Sequence, residues 1–296
     1  MKRHGVGFFL VFAATLLGGG TLTFGADLDT AAANANEASR WQMTFAPYGW
    51  STWLKGDQTV KGRTVGLDVD PIQVLEHLEA VPFMGYAEAR KGPIALYGDF
   101  VYAKLGLDAE GVTSRSINRF ITGSLSASLG VEFEQSVVEV GGAYEVARWG
   151  SPAGGFTAVD VLAGARYWHQ NMSIDLALTG TLDIGDLTVA NGIAVARSGS
   201  VDWVDPVVGA SIRQQLAPGQ QLLLRGDIGG FGVGSEFSWN VLAAYSFSIC
   251  AQDGVTYSGL IGYRALDVEY EQGSGRTKYE YDMLQHGPVT GLTIGF

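Results

Sequence analysis

From Trp41 to Phe296 the chain alternates, segment after segment, between apolar residues and small or polar ones, with turns between the segments. The final segment shows the pattern: Leu292, Ile294 and Phe296 fall on one face, and Gly291, Thr293 and Gly295 on the other. A period of two is that of a strand, because successive side chains on a pleated backbone point to opposite sides. About twelve such segments are predicted, of the length that suits tilted transmembrane strands. They cover 41–52, 81–90, 94–105, 125–133, 138–146, 157–168, 173–182, 202–214, 221–230, 238–249, 257–268 and 281–296.

The pair 125–133 and 138–146 depends on parity. Leu125, Ala127, Leu129, Val131 and Phe133 place apolar residues at odd positions, whereas Val138, Val140, Tyr144 and Val146 place them at even ones. Parity does not flip within a strand without a bulge or turn, so a tight turn is expected near Glu134-Gln135. Other short connections are expected at Lys91-Gly92, 169–172, 217–220 and 251–254. Longer loops are expected over 53–80, 106–118, 183–200 and 271–280, with Gly-rich loops at 150–155 and 231–236. In the first long loop Asp70 is a helix cap, Pro71 suits the first helical position, and Ile72, Val74, Leu75 and Leu78 form an apolar stripe. This short helix either packs against the mouth of the sheet or forms a lid over it.

Together these elements predict an all-β fold: a membrane-spanning antiparallel up-and-down β-barrel with a short helix in its first long loop. The sequence carries 42 glycines and only 17% charged residues, and past the N-terminus no apolar run is long enough for a membrane helix. At the start, Lys2, Arg3 and His4 precede an apolar core from Phe8 to Leu17, which reads as a cleaved signal peptide. Residues 1–26 are assigned to it, with cleavage near Ala26 or as late as Ala35; 27–40 form a flexible segment and 41–296 the barrel domain. Trp41, Tyr48, Trp50, Trp53, Trp149, Tyr167, Trp168, Trp203 and Trp239 lie near expected strand ends, where they would form interfacial girdles.

The same parity collects charge on the face opposite the apolar one. Glu88, Arg90, Asp99, Asp160, Arg166, Asp205, Arg213, Arg225, Asp227 and Arg264 are all predicted to face the lumen. Arg or Lys on the lipid face would cost about 2–4 kcal/mol at the midplane, so these residues belong inside, paired or hydrated. They either brace the wall as an ion-pair lattice or line a solute path.

Other chemistry is sparse. A net charge of −11 argues against nucleic acid as a partner, and the single Cys250 excludes an intramolecular disulfide and a cysteine zinc cluster. No cofactor or metal is expected; Asp68, Asp70 and Glu76 are ordinary carboxylates of a solvated loop. RGDIGGFGVGS (225–235) lacks the strand-to-helix setting of a phosphate cradle. Beyond the signal segment the histidines are His77, His169 (expected at a turn) and His286, and no GxSxG elbow is present, so no enzymatic activity is expected. Were there one, His286 near the outer rim would be its base.

The stretches FAPYGW (45–50), YAEARKG (86–92), VLAGARYW (161–168), DWVDPVVGA (202–210), RGDIGGFGVGS, GYRALDVEY (262–270) and HGPVTGL (286–292) resemble an uncharacterised family of proteobacterial outer-membrane β-barrels. The resemblance implies a place, the outer membrane of a Gram-negative bacterium reached through the signal peptide, and a fold, without a reaction. Leu292, Ile294 and Phe296 are similar to the C-terminal signal read by the barrel-insertion machinery. The expected partners are that machinery, the lipid bilayer with its lipopolysaccharide, and small hydrophilic solutes. The sequence thus reads as a narrow passive channel or a structural envelope protein with an ion-paired lumen. A lipid-modifying outer-membrane hydrolase and a soluble periplasmic β-protein are the alternatives.

Overall fold

The computed structural model describes residues 40–60, 63–107, 112–114, 124–150, 155–184 and 187–296, with the side chains of 175–197 among those left out. The expected signal peptide and flexible segment lie outside the described residues. Ten antiparallel strands close into a ring: β1 (Gln42–Trp50), β4 (Phe83–Lys91), β5 (Ile94–Leu107), β7 (Ser124–Gly150), β8 (Phe156–Ile184), β9 (Leu187–Ala217), β10 (Gln220–Gly229), β11 (Phe237–Gln252), β12 (Val255–Gln272) and β13 (Tyr279–Gly295). Pairing of β13 with β1, from Thr44↔Gly295 to Trp50↔Val289, closes it. Three strands lie outside the ring: β2 (Trp53–Val60), β3 (Arg63–Val69) and β6 (Val112–Ser114).

β2 continues the course of β1 after a break at Ser51-Thr52. β1 runs beside the second half of β13, and β2 beside its first half, from Tyr279↔Val60 to His286↔Trp53. At the break the Ser51 N–H donates to the Pro288 carbonyl. Gly287 sits against this bend, where a Cβ would collide with the Ser51 carbonyl, so no side chain fits. Past the break β2 leaves β4 and pairs instead with β3, which pairs with β6.

The expected strand count is corrected from about twelve to ten, and the reason is physical. There is no turn at Glu134-Gln135: β7 stays in unbroken register with β5 from Leu107↔Val131 through Ser136↔Tyr102 to Tyr144↔Ile94. Backbone parity does not flip there; what flips is which face is apolar. Phe133, Gln135, Val137 and Glu139 all point into the barrel and are buried. On one side of this point the interior is charged and the exterior apolar. On the other the interior is filled by aromatic, aliphatic and amide side chains and the exterior carries Glu132 and Glu134. Likewise β8 runs straight through 169–172, so His169 is mid-strand, and β8 and β9 absorb most of the expected 183–200 loop.

Removing those two turns moves the 150–155 connection to the end that holds Gly92, the 217–220 turn, the 252–255 turn and both Arg40 and Phe296. This turn end is opposed by a loop end, where the strands are longest. The expected helix is present as α1 (Pro71–Glu76), with Asp70 accepting from the Ile72 and Gln73 amides. Val74 is its buried residue, and an isolated bridge between Leu78 and Leu105 ties its exit to β5. Ile94, Leu96, Val140, Val161, Val208 and Ile261 are among the large apolar side chains exposed on the outer wall. Together they form a continuous apolar belt far beyond the patches of ordinary soluble surfaces.

Candidate functional site: the lumen charge network

All ten of the charged residues anticipated for the lumen face inward, and the structure sorts them into tiers. In the tier nearest the turn end, Arg90 bonds Glu88 (2.9 Å) and Asp160 (3.0 Å). Arg213 reaches the same Asp160 at 2.8 Å and Glu145 at 2.7 Å. Ser211 donates to Asp160 as well, and Tyr86 to Glu88.

The middle tier spans the lumen. Arg166 is wholly buried between Glu139 (2.7 Å) and Asp227 (2.6 Å). Arg225 bonds Glu139 and lies 4.5 Å above the Tyr97 ring. Asn240 donates to Asp227, Arg264 donates to Asn240, and Arg264 also reaches Asp99 at 2.7 Å. Tyr48 joins both, accepting from Arg264 and donating to Asp99. In strand order β12, which holds Arg264, lies four positions from β5, which holds Asp99, on a ring of ten. That pair reaches nearly across the ring, so its 2.7 Å contact bridges the lumen at that level.

Above the ions comes a layer of amides and phenols. Gln135 Oε1 accepts from Gln170, Tyr281 and Gln285, and Tyr279 donates to Gln170. Beside it stands an aromatic stack, with Trp168 between Arg166 and Gln170 along β8: Trp203 stacks on Trp168 at 5.4 Å and on Tyr270 at 4.0 Å between ring centroids. Most of these buried polar groups are matched, which stabilises one arrangement, while Arg166 Nη1 and the Tyr97 hydroxyl have no hydrogen-bond partner among the described residues and bear a desolvation cost.

Two expectations are corrected here. Asp205 is not partnered by an arginine. Although the register sets it opposite Arg166, whose guanidinium turns to Glu139 and Asp227, its carboxylate accepts from Trp168 Nε1 (3.0 Å), Trp203 Nε1 (3.4 Å) and the Ser235 amide (2.7 Å). The aromatic girdle is also smaller than expected. Trp41, Trp53, Trp149 and Tyr167 are exposed outside, but Trp50, Trp168 and Trp203 are buried inside, and Tyr48 belongs to the ion network. Of these inward rings, Tyr48 and Trp50 meet Arg264 in the ion tier, and Trp168 and Trp203 form the aromatic stack.

Glu139, Glu145 and Asn240 were not singled out in the sequence, yet Glu139 links Arg166 and Arg225. The signal was available: both glutamates stand at odd positions of β7, opposite Val138, Val140 and Tyr144. Under α1 a cavity of about 50 Å³ opens between Trp50, Leu54, Val74, Met84, Leu105 and Phe133, with Gln135 and Gln285 also lining it. His286 sits on the outer wall, its Nδ1 2.7 Å from the Tyr263 hydroxyl and its ring stacked 5.5 Å from Trp53. Among the described residues no group of His, Cys, Asp and Glu is placed to hold a metal ion.

No protein-family model matches the chain, and no curated protein sequence does. Among solved structures it is similar to the outer membrane protease OmpT from Escherichia coli, at 6% identity, covering 86% of this chain and 96% of that one, with a TM-score of 0.33. The CymD monoaromatic hydrocarbon channel is similar at 10% identity, covering 87% and 88%, with a TM-score of 0.33. The translocator domain of the autotransporter NalP from Neisseria meningitidis is similar at 10% identity, covering 90% and 97%, with a TM-score of 0.26.

Proposed function

We propose that this barrel resides in the outer membrane of a Gram-negative bacterium as an envelope protein with a sealed lumen, and does not act as an open solute channel. The Arg264–Asp99 contact across the ring carries the reading. Placement in a bilayer is supported by the apolar outer belt, which in water would be a large exposed hydrophobic surface. The short turns and both Arg40 and Phe296 lie at one end, which in such barrels faces the periplasm, while the long strands project outward. The quoted sequence motifs support a proteobacterial source, and the signal-like N-terminus supports export. Leu292 and Phe296 expose apolar side chains on the outer wall of β13, as recognition by the insertion machinery would require.

The barrel, refolded into a planar bilayer, tests this. Its folded state is verified by a heat-modifiable gel shift. No unitary conductance is expected; stable conductance from folded protein would replace this reading with the narrow channel for small hydrophilic solutes. Fractionation into detergent-free extract without a gel shift would favour the soluble periplasmic alternative.

A further inference from the structure

One row of outward-facing residues at the edge of the apolar belt has a chemistry that the sealed lumen does not use. Pairing places Tyr102, Ser136, His169 and Asp202 directly opposite one another on β5, β7, β8 and β9. Their neighbours Gln135, Val137, Trp168, Gln170, Val201 and Trp203 are buried inside, so by strand alternation this row faces out. The adjacent row toward the turn end is Phe100, Val138, Tyr167 and Val204; the adjacent row toward the loop end is Lys104, Glu134, Asn171 and Ser200. The row therefore marks the step from apolar to polar surface, the depth at which the ester bonds of a membrane lipid lie.

His169 Nδ1 is 2.6 Å from Asp202 Oδ1, and the Tyr167 hydroxyl holds the same oxygen at 2.6 Å. With the carboxylate as acceptor, Nδ1 carries the proton and Nε2 of the neutral ring is an acceptor. The two nitrogens lie on opposite edges of the imidazole, so Nδ1 turned toward β9 leaves Nε2 on the side of β7 and Ser136. Residues directly opposite in an antiparallel pair have Cβ atoms about 4.5–5.5 Å apart, so turning the serine side chain brings its hydroxyl toward the ring. Ser136 and His169 are not hydrogen-bonded in the present conformation, as is common for catalytic contacts before substrate arrives.

We propose that Ser136, His169 and Asp202 form a hydrolytic site on the outer wall that cleaves acyl esters of amphiphiles in the outer leaflet. Ser136 Oγ attacks the ester carbonyl carbon while His169 Nε2 takes the hydroxyl proton. The ester C–O bond then breaks, and the imidazolium returns that proton to the leaving alkoxide. Water, deprotonated by His169, releases the fatty acid and restores the serine. Asp202 is a positioning residue, holding the ring's tautomer and stabilising its cation. Asn171, one row beyond His169 on the outer face, is the amide that the register places nearest to receive the carbonyl oxygen's developing charge.

The inference rests on the barrel lying in a bilayer, and flotation with vesicles checks that separately. Full-length folded protein is incubated with vesicles of phosphatidylethanolamine and phosphatidylglycerol, or with lipopolysaccharide, and released fatty acid is measured by mass spectrometry. The two arms distinguish phospholipid from lipopolysaccharide as the source of the ester. Release is expected in one arm. It should fall to background in Ser136→Ala and about 100-fold or more in His169→Ala, at unchanged gel shift, and persist in His286→Ala. Asp202→Asn should lower kcat for release with KM little changed, because the ring loses the acceptor that fixes its tautomer, and Asp202→Glu should restore it. Floating, folded protein that releases no fatty acid in either arm, or release unchanged in Ser136→Ala, overturns the site and leaves the envelope reading standing. Failure to float overturns both.

Discussion

Arg264 on β12 and Asp99 on β5 meet at 2.7 Å from nearly opposite walls of the barrel, with Tyr48 bonded to both. Removing one partner of a buried pair leaves the other charge uncompensated, at a typical cost of about 3–5 kcal/mol. Arg264→Ala is therefore expected to lower the thermal midpoint in detergent sharply. The double variant Arg264→Met, Asp99→Leu should recover most of the loss, and a cycle showing additive losses would mean the pair does not act as a unit.

Arg166 and Arg225 share Glu139 and Asp227, so replacing both arginines with alanine leaves two acids facing emptied space. Any leak created in planar bilayers should then be cation-selective, while the wild type stays silent. An anion-selective leak would contradict this assignment of the lining.

The hydrophobic inversion on β7 places the bilayer boundary between Val138 and Glu134. Single cysteines at Glu132 and Glu134 should react with a membrane-impermeant maleimide in intact vesicles, and cysteines at Val138 and Val140 should not. Val140→Arg should destabilise the barrel by about 2–4 kcal/mol, as expected for a cation near the midplane. Equal labelling at all four sites would refute the boundary.

Much of this was legible in the residues, and the point at which legibility ended is instructive. Alternation identified the strands because each has one apolar face, and it put all ten named lumen charges on the correct side. The same rule misread Glu134-Gln135, because it assumes that a strand keeps one solvent per face. β7 passes from lipid to water outside and from ions to aromatics inside, so Phe133 and Val140 are apolar for opposite reasons. Trp168 and Trp203 were misplaced by that same assumption. Pairings such as Arg264 with Asp99 depend on ring order and strand stagger, which periodicity does not contain. The row of Ser136, His169 and Asp202 was hidden because His169 was expected at a turn, whereas only the register of three long strands aligns it.

Asp282, on the loop-end extension beyond the apolar belt, is exposed, yet its carboxyl is raised above the ordinary value by partial desolvation, with Asp57 and Glu280 nearby adding to the effect. A folded-state pKa above the unfolded one means that the folded protein holds the proton more tightly. Stability then falls as pH rises from about 4, the ordinary aspartate value, through the raised one. Asp282→Asn should raise the melting temperature at pH 7.5, with the gain vanishing at pH values below about 4. A gain independent of pH would rule out this linkage.

The break at Ser51-Thr52 lets one strand close two seams. Because β1 and β2 lie along successive halves of β13, that strand completes both the ring and its outward extension in one docking event. Without it, β1 and β2 would each present an open hydrogen-bonding edge along the whole of that seam. Shortening the chain by removing 287–296 should therefore trap an unclosed, protease-sensitive form; a truncated chain that still gave a protease-resistant barrel would disprove this role for β13.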